Sequence, residues 1–172
     1  EFTIVPPDLR LVAVASGIGL LVGVVAIGFA AREQPMVWLA AIAMTVLVVG
    51  MTAGLVRRRQ VVLEGDLLTI AGGVNTARVR IADLDIAAAR VVNLADDSTL
   101  KPGLKTFGTA MPGYQAGHFR LRNRSRAFVL LTDRTKVLAL PERSGRMLLL
   151  SLERPQALLD ALRTMAEAGA RR

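Results

Sequence analysis

Residues 60–82 read QVVLEGDLLTIAGGVNTARVRIA, and this stretch decides the fold class. QVVLE and LLTIA are short β-branched or aliphatic runs on either side of Gly65 and Asp66. Residues of these two types tolerate the positive φ of a tight turn, so the pair reads as a β-hairpin. Ala71, Gly72, Gly73, Val74 and Asn75 make the next turn, and ARVRIA follows with Val79 and Ile81 alternating onto one face. Closely spaced short strands with turn residues between them point to an antiparallel, mainly-β domain.

Further along, DLDIAAARVVNLA begins as a turn and ends as a strand through Val91, Val92 and Leu94. AGHFRL, RAFVLLT, KVLALP and RMLLLSL are four more apolar runs, separated by NRS, DR and ERSG. The period then changes. Arg154, Pro155 and Gln156 lead into ALLDALRTMAEA, where Leu158, Leu159, Leu162 and Met165 recur at helical spacing. Pro155 suits a first helical turn, and Gly169 is a plausible stop. The expected domain has about seven antiparallel strands, with the final helix covering the open end of a small barrel.

In this order the motifs resemble the bacterial pleckstrin-homology-like (PH-like) domains found next to membrane-spanning helices. The resemblance is carried by EGDLLTIAGG, by ARVRIADLDIAAARVV, by the T-x-G element at 106–108 and the G-x-F element at 117–119, and by the ending VLALPERSGRMLLLSLERPQALLDAL. It runs from about Val62 to Leu162. It implies two nearly orthogonal antiparallel sheets with a C-terminal capping helix. It implies no reaction, because this fold serves lipid, peptide and protein binding alike.

Before residue 57 the composition is different. The whole chain of 172 residues is 52% hydrophobic with a mean hydropathy of +0.44, yet carries 22 basic and 14 acidic side chains. The two populations are segregated: residues 11–31 and 36–56 contain no charged residue. A helix of about 20 residues crosses a hydrocarbon core of about 30 Å, so both runs are long enough to span. A cleaved signal ending near Phe29, Ala30 and Ala31 is the alternative for the first run. Signal sequences use apolar regions of about 7 to 15 residues, and here a second run follows almost at once.

The short link Arg32, Glu33, Gln34, Pro35 makes the two runs an antiparallel hairpin with both ends on one side. Arg57, Arg58 and Arg59 directly follow the second run, and the positive-inside rule keeps such a cluster in the cytoplasm. The expected organisation is a short cytoplasmic N-terminus (1–10), a two-helix transmembrane hairpin (11–56) and a cytoplasmic PH-like domain (57–172) at the bacterial inner membrane. Phe29 and Trp38 flank the link at the outer interface. Gly19 with Gly23, and Gly50 with Gly54, form GxxxG pairs that let helices approach closely, either within the hairpin or between copies. With no ionisable residue inside either run, there is no proton relay or ion path, which disfavours a transporter.

Residues 101–118 read as a glycine-rich loop. A phosphate-binding loop needs Gly-Lys-Ser/Thr at the start of a helix, whereas Lys105 and Thr106 precede Phe107, Gly108 and a strand. An unstructured loop of roughly 20 residues is uncommon in a compact domain unless it is functional or mobile. Leu104, Phe107, Met111 and Tyr114 give it apolar anchors, making it a docking loop for its own domain, the membrane or a neighbouring chain. Arg120, Arg122, Arg124 and Arg126 occupy alternate positions. They share a face if the segment is extended, or splay around a tip if 123–125 is a turn. They are either contacts for anionic headgroups or a solvated face, while Arg57, Arg58 and Arg59 serve headgroup contact or topology.

Other chemistries lack residues. From Arg57 onward there are 20 basic and 11 acidic side chains, but stacking on nucleic acid needs interleaved aromatics, and only Phe119 and Phe128 are near. Asp83 with Asp85, and Asp96 with Asp97, sit where capping and solvation explain them. His118 is the lone histidine, and no nucleophile–base–carboxylate set can be assembled around it. With no cysteine there is no disulfide or thiolate ligand, and no metal or cofactor is expected. The chain reads as a non-enzymatic, membrane-anchored interaction or assembly module. Its expected partners are membrane lipid, further copies of itself or an unidentified membrane protein, with anionic headgroup binding as the alternative function.

Overall fold

The computed structural model describes residues 2–7, 17, 20, 21, 23–25, 28 and 35–170. Helix α1 (Pro35–Arg57) has 23 residues, and Arg57 at its end is its only charged one. Most of its described side chains are exposed, on all sides, with Ala41 buried and Thr45 half-buried. The described positions between 17 and 28 are also helical. At Gly28 an added Cβ would collide with the indole of Trp38, so that glycine sits directly under the ring. Counted over the described residues alone, no helix is long and apolar enough to cross a membrane. The expected span 11–31 lies largely outside the described residues, as does Gly19.

Arg58 alone separates α1 from strand β1 (Arg59–Glu64). β1, β2 (Leu67–Gly72) and β3 (Asn75–Arg80) form an antiparallel meander, closed by the Glu64↔Leu67 and Gly72↔Asn75 pairs. In β3, Asn75, Ala77 and Val79 are buried while Thr76, Arg78 and Arg80 are exposed, the period of two that the sequence shows. A 3-10 turn (Ile81–Asp83) leads to a six-stranded sheet. Its strands are β4 (Arg90–Val92), β5 (Pro102–Met111), β6 (Tyr114–Leu121), β7 (Arg126–Leu131), β8 (Val137–Pro141) and β9 (Met147–Ser151), in spatial order β4-β8-β9-β7-β6-β5. Helix α2 (Pro155–Ala170) closes the domain, packing Leu158, Leu159 and Leu162 into the core.

Three expectations need correcting. The described residues form nine strands rather than about seven. One pair, β7 with β9, is parallel. RAFVLL and MLLLS are buried on both faces, so the pair sits mid-sheet, where strands need apolar residues on both sides. The glycine-rich segment 101–118 is not a loop but most of the β5–β6 hairpin, turned over Pro112 and Gly113. Gly108 and Gly117 pair across it with φ of 139° and 127°. A Cβ on Gly117 would lie 2.7 Å from the Gly108 Cα and 2.9 Å from Asn75 Nδ2. These glycines therefore permit a close backbone crossing, where side chains would clash.

The six-stranded sheet is covered on both faces. One face carries Tyr114, Ala116, Phe128, Leu130, Leu138 and Leu150 against the three-stranded sheet and α2. The other carries Phe119, Leu121, Val129 and Leu149 under Leu94 and Leu100 of the 93–101 segment. The N-terminal segment 2–7 spans the gap between the sheets: Phe2 bridges to Val61, and Ile4 to Leu152 beyond β9. Ile4 is buried in the first core.

Candidate functional site

The end of the domain nearest α1 is built around Arg58 and Arg59. The Arg58 carbonyl accepts the Gly73 amide at 3.0 Å, tying the helix exit to the β2–β3 turn. Arg58 itself is exposed. Arg59 instead turns into the domain: its Nη1 donates to the Val5 carbonyl at 3.4 Å, and Thr132 Oγ1 donates to the same oxygen at 2.6 Å. Burial lowers the Arg59 pKa, with the neighbouring Tyr114 opposing, and burial raises that of Tyr114, with Arg59 opposing. Of the basic triplet, Arg57 ends α1, Arg58 faces outward and Arg59 joins three chain segments.

From this junction contacts lead outward to β5. Gly73 and the exposed Val74 form the turn next to Arg58. Asn75 approaches Gly117, and Gly117 pairs with Gly108 beside Phe107. Past Asn75 the same face of the six-stranded sheet reaches solvent toward its β5 edge, with Phe128 still buried. In register across β5, β6 and β7 stand Phe107, His118 and Phe128, and one row further Leu104, Arg120 and Arg126. His118 packs edge-on to Phe128, with centroids 5.2 Å apart. Leu104 is 71% exposed and Phe107 63% exposed.

The four apolar positions assigned to docking therefore separate into two pairs. Leu104 and Phe107 reach solvent, while Met111 packs against the first core and Tyr114 is enclosed within it. The alternating arginines also separate. Arg120 and Arg126 face each other across the β6–β7 hairpin, while Arg122 and Arg124 lie on its turn. Arg124 has a φ of 68°. The turn is held by the Leu121 amide on the Ser125 carbonyl (3.0 Å) and the Arg124 amide on the Leu121 carbonyl (2.9 Å). All four are exposed, and among the described residues none is in an ion pair.

Gly23, Gly50 and Gly54 have no described atom within 4 Å of where a Cβ would stand. Among the described residues no group of three or more His, Asp or Glu is placed to hold a metal ion. At the far end of β1 from α1, a cleft of about 790 Å³ opens between the β1–β2 turn and the end of α2, lined by Ile81, Leu84, Ile86 and Met165 with Asp66 and Asp85 among its polar lining.

A family model described as a bacterial PH domain matches residues 59–166, well over half of the chain. The chain belongs to that family. The match begins at Arg59, where β1 begins, and ends within α2. No curated protein and no solved structure matches the chain. A PH domain is an interaction module for protein or lipid, and the open β5–β6–β7 face is where this one exposes apolar and basic side chains together. Sequence reading missed two parts of this arrangement: the N-terminal strap, signalled only by the short β-branched run FTIV, and the inward turn of Arg59, which no pattern marks.

Proposed function

We propose that the protein is a non-catalytic interaction and assembly module held in the bacterial inner membrane by a two-helix hairpin, with its PH domain on the cytoplasmic side. The carrying observation is α1: a 23-residue helix, apolar on every side, with exposed side chains along its length and a one-residue connection to the domain. A helix that is apolar all round needs a protein core or lipid around it, and neither core cluster among the described residues covers it. At 1.5 Å per residue, Trp38 to Arg57 rises about 28 Å. Val5 is fastened beside Arg59, just past the end of α1, and Gly28 lies under Trp38 near its start, which supports a chain that runs back along α1. Self-association is supported by Gly50 and Gly54, which among the described residues have no atom within 4 Å of where a Cβ would stand and whose spacing suits close approach of another helix.

Mass measurement in lipid nanodiscs across protein concentrations tests assembly, with a dimer or larger particle expected. A monomer at every concentration rejects it. The topology is read separately in sealed vesicles, where the chain has no native cysteine to interfere. Single cysteines replacing Gln34 and Glu167 should react with an impermeant maleimide from opposite sides of sealed vesicles. Labelling of both from one side removes the hairpin.

A further inference from the structure

The open face of the PH domain has a composition that suits one kind of partner. Leu104 and Phe107 project beside Arg120 and Arg126 within two adjacent rows of the sheet. Like charges placed directly opposite across two strands repel. Arg120 and Arg126 hold that position with no described carboxylate paired to either. The two acidic groups on the segment that hydrogen-bonds the turn are already engaged, Asp97 by Arg90 at 3.5 Å and Thr99 at 2.6 Å and Asp96 by Asn93 at 2.7 Å. An anion between the two guanidinium groups would relieve their repulsion. Apolar side chains next to such a site are not what a dissolved small anion needs, whereas an interface with charge at one depth and hydrocarbon at the next matches both.

The position of the face agrees. The contacts Arg58–Gly73 and Asn75–Gly117, with the Gly117↔Gly108 pair, lead from the end of α1 to Phe107 in a few short steps. If α1 ends in the headgroup zone, Phe107 stands within reach of it. Pairing with another strand is disfavoured along this part of β5. Register shifts between Pro102 and Leu104 and between Lys105 and Phe107 break the edge, and Pro102 and Lys105 are residues that guard edges.

We propose that the face formed by Leu104, Phe107, Arg120 and Arg126 seats on the anionic lipid surface of the membrane that anchors the chain. The two apolar side chains enter the interface and the two arginines bind lipid phosphates. This rests on the anchored reading above and adds an orientation to it: the domain lies against the bilayer through β5–β7, leaving the cleft beside α2 for other contacts.

The test uses the full chain with single cysteines at Leu104→Cys or Phe107→Cys, each carrying an environment-sensitive fluorophore, and Glu167→Cys as a distant control. The vesicles are neutral phosphatidylcholine or contain phosphatidylglycerol. Seating predicts a blue shift and quenching by brominated lipid at 104 and 107 in anionic vesicles only, with Glu167→Cys unchanged. Arg120→Gln with Arg126→Gln should lower the seated-to-free ratio by about 30-fold, the contribution of two basic residues at an anionic surface. Because labelling at 104 or 107 removes one apolar contact, the same arginine effect is also read from a label at Val74→Cys, beside the junction. Labels at 104 and 107 that stay in water in both vesicle types overturn the proposal. Protection in neutral vesicles that grows with protein density also overturns it, by naming a second copy as the occupant. Flotation reports the anchor separately: a chain that floats only with anionic lipid, with both labels buried, keeps the seating and loses the hairpin.

Discussion

Tyr114 is the largest polar side chain in the domain core, 1% exposed, and among the described residues its hydroxyl has no hydrogen-bond partner. Its ring fills space between the sheets, so the apolar part contributes stability while the hydroxyl carries a desolvation cost. Tyr114→Phe should therefore melt within about 1 kcal/mol of the parent at pH 7, or slightly higher. Tyr114→Ala should lose about 3–5 kcal/mol by leaving a cavity. Alkaline pH gives a second reading. Burial raises the Tyr114 pKa above its ordinary value of about 10. The neutral phenol's contribution is then fully present below about pH 10 and is lost as pH rises through the raised folded-state value. Whatever their difference at pH 7, the parent should lose further stability relative to Tyr114→Phe only above about pH 10 in thermal melts of the detergent-solubilised chain. A loss of more than about 2 kcal/mol for Tyr114→Phe at pH 7 would mean that the hydroxyl has a partner after all.

The elements differ in how plainly the sequence announces them, and burial explains the difference. β3 is half-buried and alternates cleanly, and β7 and β9 are apolar because both their faces are covered. The C-terminal helix shows its leucines because a single face enters the core. β5 shows nothing of the kind. It is an edge strand, largely exposed and broken by two register shifts, so no period of two survives in PGLKTFGTAM. Its glycines then look like flexibility, although Gly108 and Gly117 are the places where the hairpin is most constrained. Leu104, Phe107, Arg120 and Arg126 each stood out in the sequence, but that they share two adjacent rows of the sheet was not legible, since register between strands is not written in either strand alone. The crossing yields a sharp contrast between glycines. Gly117→Ala places a Cβ against backbone at a positive φ and should cost more than about 1 kcal/mol. Gly169→Ala, in α2 with nothing within 4 Å, should gain about 0.5–1 kcal/mol. Chemical denaturation of the two variants checks this; equal effects would mean that the Gly108–Gly117 approach is relaxed in solution.

At the scale of the whole molecule, the N-terminal strap fixes the chain beside the point where α1 joins the PH domain. A domain joined to a helix by one residue could still swivel about that joint. Here the chain also leaves the domain at positions 5–7, and the Val5 carbonyl takes hydrogen bonds from both Arg59 and Thr132. Two exits fastened side by side define an orientation where one would define only a pivot. Ile4 is the wedge that holds the strap, buried in the first core beside the bridge to Leu152. Backbone bonds flank it: the Phe2 amide to the Val61 carbonyl at 2.8 Å, the Val5 amide to the Ser151 carbonyl at 3.3 Å, and the Glu153 amide to the Thr3 carbonyl at 3.1 Å. An aspartate at position 4 would be an unpaired charge in that core, and releasing the strap is the cheapest way to hydrate it. Hydrogen exchange should therefore show the amides of Phe2, Val5 and Glu153 protected in the parent and exposed in Ile4→Asp. Those of β6 and β7 should stay protected, because their bonds lie within the six-stranded sheet. Ile4→Ala, which removes volume without adding charge, should keep the strap docked at a cost of about 2–5 kcal/mol. Free exchange at Phe2 and Val5 in the parent would mean that the strap is not docked in solution, leaving the one-residue joint at Arg58 to set the domain's orientation.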